Sequence, residues 1–309
     1  MRTVWLVTPG SDRDKVESAV QSDADVVFPC LEDGTPYTDE AKREARRTVA
    51  EVVESTDTEM DVYPRINALT SKYWREDVEE LVPAEPDGLI AADVRAPEYL
   101  SELSDYLLDV ERQHRLPEGE TALACLIEHP CAVRQAYDIA SGVDRMVAVL
   151  FGADDFTQSL GALKDDEKRK KSLRTELDYP RSKVAIDASS AGRERVDSAA
   201  MFVDEDYIVQ ESSKAARLGF TGKIALHPSQ VEPIRRGFAP TSAEVERSRE
   251  IVERYESDVG GTVDGALVVE PVVKPEELDF SLLMAGDMLS PFVGDEEVDP
   301  NSDQFTQWL

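Results

Sequence analysis

Acidic residues close several of the short apolar runs in this 309-residue sequence. "FPCLED" ends at Glu32 and Asp33, "LIAAD" at Asp93, "LFGADD" at Asp154 and Asp155, and "VAID" at Asp187; "LIEHP" carries Glu128. "YPRIN" adds a cation, Arg65, with Asn67 two residues on, and "ALHPSQ" adds His227. Carboxylates without histidine or cysteine partners suit a hard divalent cation bound through oxygen, Mg2+ or Mn2+. Such an ion keeps several waters and takes one or two carboxylates plus substrate oxygens. Glu128 and Asp155 follow consecutive runs, so they could share one ion. The competing explanation is a rim of solvated charges. An arginine just past a buried run needs a planar anionic partner. For Arg65 that is either a substrate carboxylate or keto acid, or a neighbouring acid in an internal salt bridge. His227 precedes a proline and reads as a turn histidine bonded to backbone, with a general base as the alternative.

Composition restrains these readings. The chain holds 64 acidic and 34 basic residues, a net charge of −30, with 11 lysines and 23 arginines. The acids are spread along the whole length, as on a halophile surface where salt screens self-repulsion. A cation-binding or basic-partner protein is the rival. No basic stripe is present to neutralise phosphates, which disfavours nucleic acid. Cys30, Cys125 and Cys131 have no CxxC spacing, arguing against a disulfide framework or zinc site. The quickly polar start "MRTVWLVTPG" does not resemble a signal peptide. No apolar run reaches about 18 residues, so no membrane span is expected. A cytoplasmic protein follows.

The candidate residues need elements that bring them together. Eight apolar runs lie at 3–9, 24–33, 61–67, 88–94, 122–130, 145–155, 183–190 and 222–228. Their continuous Val, Ile and Leu content predicts strands buried on both faces. Helical patterns fill the gaps: Thr38 caps "DEAKREARRTVAEVVES", and Leu100, Leu103, Leu107 and Val110 share a face of "PEYLSELSDYLLDVERQ". Eight strands alternating with helices predict a (β/α)8 TIM barrel over 1–258, followed by a C-terminal extension, 259–309, acting as lid or oligomer contact. A doubly wound open sheet is the runner-up, but "TPGSDRDK" is no GxGxxG loop. Residues 163–182, rich in charge, read as a surface excursion. In a barrel of this kind the active site lies at the C-terminal ends of the strands, which gathers the acids and Arg65 onto one rim.

Several motifs together resemble the citrate lyase β-subunit-like acyl-CoA lyases, which include malyl-CoA and citramalyl-CoA lyases. They are "TPGSDRDKVESA", "ADVVFPCLEDGTP", "KREAR", "PRIN", "LIEHPCAV", "VLFGADDFT", "AARLGFTGKIALHPSQVEPI" and "FAPTSAEVERSREIVERY", in the family's order over about residues 3–275. The resemblance implies a Mg2+-dependent barrel, assembled as a trimer or hexamer. It would cleave or form a C–C bond beside a CoA thioester, with an acyl-CoA and a 2-keto acid of the glyoxylate or pyruvate class as partners. It implies Glu128 and Asp155 as metal ligands, Arg65 as the keto-acid-binding arginine, and Glu32 and Asp33 as outer-shell groups. It implies Glu270 as the acid reaching a neighbouring subunit's site, and Lys15 and Arg2 as CoA contacts. This chain departs from the pattern at Cys30, where the family has Asp. It departs again at Ala92-Asp93, where the family has Pro-Lys, and at Glu270 in place of Asp. Those departures keep open a thioesterase on the same metal site, or a non-catalytic acyl-CoA-binding relative.

Overall fold

The computed structural model describes residues 2–56, 60–162, 170, 172–257, 262–263 and 266–267. The chain divides into two compact units, Met1–Phe238 and Ala239–Leu309. In the first unit, strands β1 (Val4–Pro9), β2 (Val26–Cys30), β3 (Asp61–Val62), β4 (Arg65–Ile66), β5 (Gly88–Ala91), β6 (Ala122–Ile127), β7 (Met146–Phe151), β8 (Glu194–Asp197) and β9 (Gly222–Ala225) pair in parallel. β3 and β4 are two pieces of one strand position, interrupted at Tyr63-Pro64, and both pair with β2. β1 pairs with both β2 and β9, which closes the sheet into an eight-position barrel. The (β/α)8 expectation therefore holds.

Side-chain alternation sorts the barrel into two cores. Trp5, Val26, Phe28, Tyr63, Ile90, Ala124, Leu126, Ala148, Leu150, Val196 and Ile224 fill the interior. The intervening residues, such as Leu89, Leu123, Cys125, Val149 and Phe151, pack outward against the helices. Those helices are α1 (Arg13–Ala19), α2 (Asp39–Ser55), α3 (Trp74–Leu81), α4 (Pro97–His114), α5 (Pro130–Arg134), α6 (Ala136–Ala140), α7 (Ala153–Leu160), α8 (Asp178–Ser190), α9 (Glu205–Arg217) and α10 (Val231–Phe238). Thr38 caps α2 by accepting the Ala41 N–H at 3.2 Å, and α4 buries the expected Leu100, Leu103, Leu107 and Val110. The second unit contributes helix α11 (Ser242–Ser257) and a short antiparallel pair, β10 (Thr262–Val263) with β11 (Ala266–Leu267). Among the described residues, no helix is long and apolar enough to cross a membrane.

One strand was misread. "KVAIDASS" lies inside α8, where Val184, Ala185 and Ala188 are buried at helical spacing and Ile186 points to solvent. Pro180 in the first turn and Gly192 at φ +70° beyond the end are the helix signals that outweigh the apolar run. Asp187 is thus a helix residue paired with Lys183, and it does not stand on the rim. The seventh strand is instead "ERVD", β8, whose charges hide it from a search for apolar runs.

One of those charges, Asp197, belongs to a buried ionic network between barrel and helices. Asp197 accepts two hydrogen bonds from Arg181 of α8, at 3.0 and 2.6 Å, and one from Lys223 of β9 at 2.7 Å. Lys223 also faces Glu211 of α9 at 3.4 Å. Arg174 reaches Glu211 at 3.8 Å and Asp154 at 3.6 Å. Arg174, Leu177 and Arg181 are buried while Thr175, Glu176 and Tyr179 stay exposed, so the C-terminal part of the charged 163–182 stretch packs one side inward where a surface excursion was expected. Burial alone would raise the Asp197 carboxyl, but Arg181 and Lys223 outweigh it and hold the group at about 2. This pairing contributes stability above the ordinary carboxylate range near about 4 and loses it as the pH falls toward that lower value. Lys223→Met should cost roughly 3–5 kcal/mol in denaturant unfolding, because it strands buried acids. A loss below about 1 kcal/mol would show that Arg181 alone suffices to hold Asp197.

Candidate active site

The interior alternation carries four chemically distinctive residues to the top layer of the barrel. Phe28 is followed two residues on by Cys30, Tyr63 by Arg65, Leu126 by Glu128 and Leu150 by Gly152. Cys30 and Arg65 are register partners across β2 and β4. The Arg65 guanidinium therefore lies against the Cys30 sulfur, donating from Nε at 3.2 Å and from Nη2 at 2.9 Å. Nη2 also donates to Asp33 and stands 3.4 Å from Glu32. Burial works against the Arg65 charge, yet Cys30, Glu32 and Glu128 outweigh it and hold Arg65 above its ordinary value. Arg65 is thus salt-bridged internally, and the acids it pairs with, Glu32 and Asp33, line a cavity.

That cavity, about 370 Å³, is lined by Glu32, Asp33, Asn67, Asp93, Glu128 and Asp155, among others. Glu128 is 8% exposed, and its Oε1 accepts the Asp93 backbone N–H at 2.8 Å. Its carboxyl is pushed up to about 8, chiefly by burial, with Asp155 and Glu32 adding to the rise against the pull of Arg65. The carboxyl fits this place because residue 152 is glycine. A Cβ there would sit 2.7 Å from both the Glu128 Cβ and Oε2, closer than real contacts allow. Asp155 lies in the first turn of α7, where the helix dipole favours an acid, and it lines the cavity. Asp154, in the same turn, faces the buried Arg174 instead.

Supporting contacts explain two of the sequence motifs. In "KREAR", Lys42 is fully buried and its Nζ donates to the carbonyls of Leu31 at 2.5 Å and Glu32 at 2.6 Å, which pins the acidic loop after β2. Burial lowers the Lys42 ammonium. Arg46 bonds Asp77 at 3.2 Å, and Asp77 in turn accepts from the N–H and Nδ2 of Asn67 at 2.8 and 2.7 Å, bracing "RIN". Asp93, at φ +46°, is strained backbone, and its carboxylate is paired with Arg95 of the same loop. Asp93 stands on the rim as expected, whereas Lys42, Arg95, Gly152 and Arg174 were not singled out from the sequence as site-forming. The period-2 alternation could have shown Gly152 beside Glu128; nothing in the pattern marks the others.

The remaining expectations are placed as follows. Lys15 lies exposed in α1 and pairs with Asp12 at 3.1 Å, away from the cavity lining. Arg2 precedes β1 at the N-terminal end of the barrel. There it pairs with Asp61 and Glu194 at 2.8 and 3.0 Å and stacks on Trp5 and Tyr63. These bonds commit Arg2 at the end opposite the cavity, and it is not among the residues that line it. His227 caps a turn, its Nδ1 accepting the Ser229 N–H at 3.1 Å. Glu270 lies outside the described residues. Among the described residues, Cys30, Glu32 and Asp33 form a tight group of potential metal ligands, within 4.8 Å of one another. Arg65 already occupies that group, and its soft sulfur suits Mg2+ poorly. The oxygen donors Glu128 and Asp155 fit a hard cation better.

A cation there must displace the Glu128 proton. Mg2+ affinity should therefore rise about tenfold per pH unit between pH 6 and 7.5, then level above about 8. Titration calorimetry in buffers of different ionisation enthalpy should show close to one proton released near pH 6.5; none released would place the ion elsewhere. Gly152→Ala should weaken Mg2+ at least about tenfold while the far-ultraviolet spectrum is retained. Undiminished affinity would mean that Glu128 is free to relocate.

Comparison with known proteins gives one direction. A profile of the HpcH/HpaI aldolase/citrate lyase family matches residues 3–228. Citrate lyase subunit beta from Leuconostoc mesenteroides subsp. cremoris is 26% identical over 280 residues, covering 88% of this chain and 90% of its own. Mitochondrial citramalyl-CoA lyase from Rattus norvegicus is 28% identical over 292 residues, covering 88% and 83%. Among solved structures, the CitE protein of Mycobacterium tuberculosis in complex with magnesium, acetoacetate and coenzyme A shares the fold, with a TM-score of 0.77, 24% identity and coverage of 91% and 97%. With 226 consecutive residues inside the profile, the chain belongs to the HpcH/HpaI aldolase/citrate lyase family.

Proposed function

We propose that this chain is a Mg2+-dependent carbon–carbon lyase. It would cleave, or form by condensation, a 3-hydroxyacyl-CoA such as malyl-, methylmalyl- or citramalyl-CoA, giving an acyl-CoA and a 2-keto acid. The observation that carries the reading is the buried Glu128 carboxyl beside Arg65, in one cavity with Asp155. The names of the two relatives above, a citrate lyase subunit and a citramalyl-CoA lyase, support the reaction class.

Glu128 and Asp155 would hold the ion. Bound Mg2+ supplies a Lewis acid that favours negative charge on the substrate oxygen at the breaking bond. Arg65 is fixed by Cys30 and Asp33 through Nε and Nη2, and its Nη1 has no protein acceptor among the described residues. That N–H would donate to the substrate's keto oxygen or carboxylate, adding a preorganised charge where electron density accumulates. Lys42 keeps Glu32 and Asp33 in place through the loop backbone. The proton at the carbon left by bond cleavage needs a donor, and Glu270 is the proposed one. Assembly as a homo-oligomer, a trimer or hexamer, is part of the same proposal, as is Lys15 as a contact for CoA phosphates.

Incubation with these thioesters in high salt and Mg2+, with products read by mass, should yield a keto acid and a shorter acyl-CoA, abolished by EDTA. Free CoA with the intact hydroxy acid would instead identify a thioesterase using the same ion. Asp155→Asn should lower kcat/KM by at least about 100-fold, and Asp154→Asn by less than about tenfold. Equal losses would mean that the Asp154–Arg174 pair matters to the chemistry as much as the cavity acid.

A further inference from the structure

The outer face of α8 is unlike the acidic surface around it. Its exposed positions are Tyr179, Ile186, Ser189 and Ser190, none of them charged. Tyr179 is 77% exposed and Ile186 is 62% exposed. The charges that the helix does carry are all paired within the chain. Asp178 meets Lys214 at 2.6 Å, Arg181 meets Asp197 at 2.6 Å, and Lys183 pairs with Asp187 one turn on. Helix α4, by contrast, exposes Glu98, Glu102, Asp105, Asp109 and Arg112. In a chain of net charge −30, a helix that shows solvent two large apolar side chains and no unpaired charge marks a contact surface. The neighbouring helix α6 exposes a further aromatic ring, Tyr137.

The spacing indicates what fits this face. Tyr179, Ser182, Ile186 and Ser189 follow one another at intervals of three, four and three residues, the a/d spacing of a two-helix seam. The two serines leave room for a second backbone between the two large side chains. Tyr179 and Ile186 stand two turns apart, about 10.5 Å along the axis. Two such helices laid antiparallel about a two-fold axis set the Tyr179 of each copy against the Ile186 of the other, with Ser182 and Lys183 at the axis. The same patch then serves both sides, as a two-fold contact requires. Charge favours a second copy as well. Two chains of −30 repel wherever acids stand uncompensated, so they can approach most closely where every charge is already paired.

We infer that the outer face of α8 is a two-fold contact between copies of this chain, packed α8 against α8, so that the assembly holds an even number of subunits. Of the trimer and the hexamer proposed above, only the hexamer can use it. The inference stands apart from the lyase reading, and its test needs no substrate.

The test is light scattering of the full chain in high salt, which screens the repulsion between copies. The wild-type mass should be an even multiple of the subunit mass. Ile186→Glu should halve it while the far-ultraviolet spectrum is retained. A cross-link supplies a second readout that weakens nothing. In a Cys131→Ser background, which removes the partly exposed native thiol, Ser182→Cys should give a covalent dimer on mild oxidation. Ser101→Cys, on the charged face of α4, should stay uncross-linked. An odd multiple, or a mass that Ile186→Glu leaves unchanged, would overturn the inference. So would a single copy in solution, or a Ser182→Cys protein that cross-links no more than Ser101→Cys.

Discussion

The site depends on one unfavourable placement: a carboxyl at the top of a closed apolar barrel. Glu128 follows Leu126 on the interior face, so the alternation of β6 leaves it no choice of direction. Burial raises its proton affinity, and the groups around it only partly relieve this. Arg65 pulls the carboxyl down, Asp155 and Glu32 push it up, and the Asp93 N–H satisfies one oxygen. A structural carboxylate would be fully paired, as Asp197 is by Arg181 and Lys223. The contrast between these two buried acids, one pushed up to about 8 and one held at about 2, separates a carboxyl that burial dominates from one that two bonded cations dominate.

The surrounding structure serves that placement. Gly152 leaves the volume that Glu128 fills. Arg65 is aimed by its strand register with Cys30. Lys42 and the Arg46–Asp77–Asn67 chain fix the two loops that border the cavity. On the other side of the barrel wall, the Arg174–Glu211–Lys223–Asp197–Arg181 network anchors β8, β9 and the segment after α7, and it occupies Asp154. Adjacent acids of one motif therefore point into different environments.

Much of this was legible in the sequence, for physical reasons. Seven of eight strand positions announced themselves as apolar runs, because parallel strands buried on both faces have nowhere to put polar residues. The remaining position, "ERVD", was hidden because it is mostly charged, its buried Asp197 being satisfied by Arg181 of α8 and Lys223 of β9. "KVAIDASS" took its place because helical and strand burial cannot be told apart over eight apolar-rich residues. The rim rule gathered Glu32, Asp33, Arg65, Glu128 and Asp155 before any coordinates. What could not be read was the pairing. That Lys42 would lie buried beneath the acidic loop, and that Arg2 would pair with Asp61 and Glu194, follow from packing between separate elements; the Asp93–Arg95 pair is local, but nothing in the loop's sequence marks it.

The central claim is that Glu128 and Asp155, not the tighter cluster of Cys30, Glu32 and Asp33, take the divalent cation. Crystals soaked in Mn2+ and measured for anomalous scattering test it most directly. The account requires a single strong peak within bonding distance of Glu128 and Asp155, about 2.0–2.3 Å. A peak on Cys30, Glu32 and Asp33, with Arg65 displaced, would contradict it.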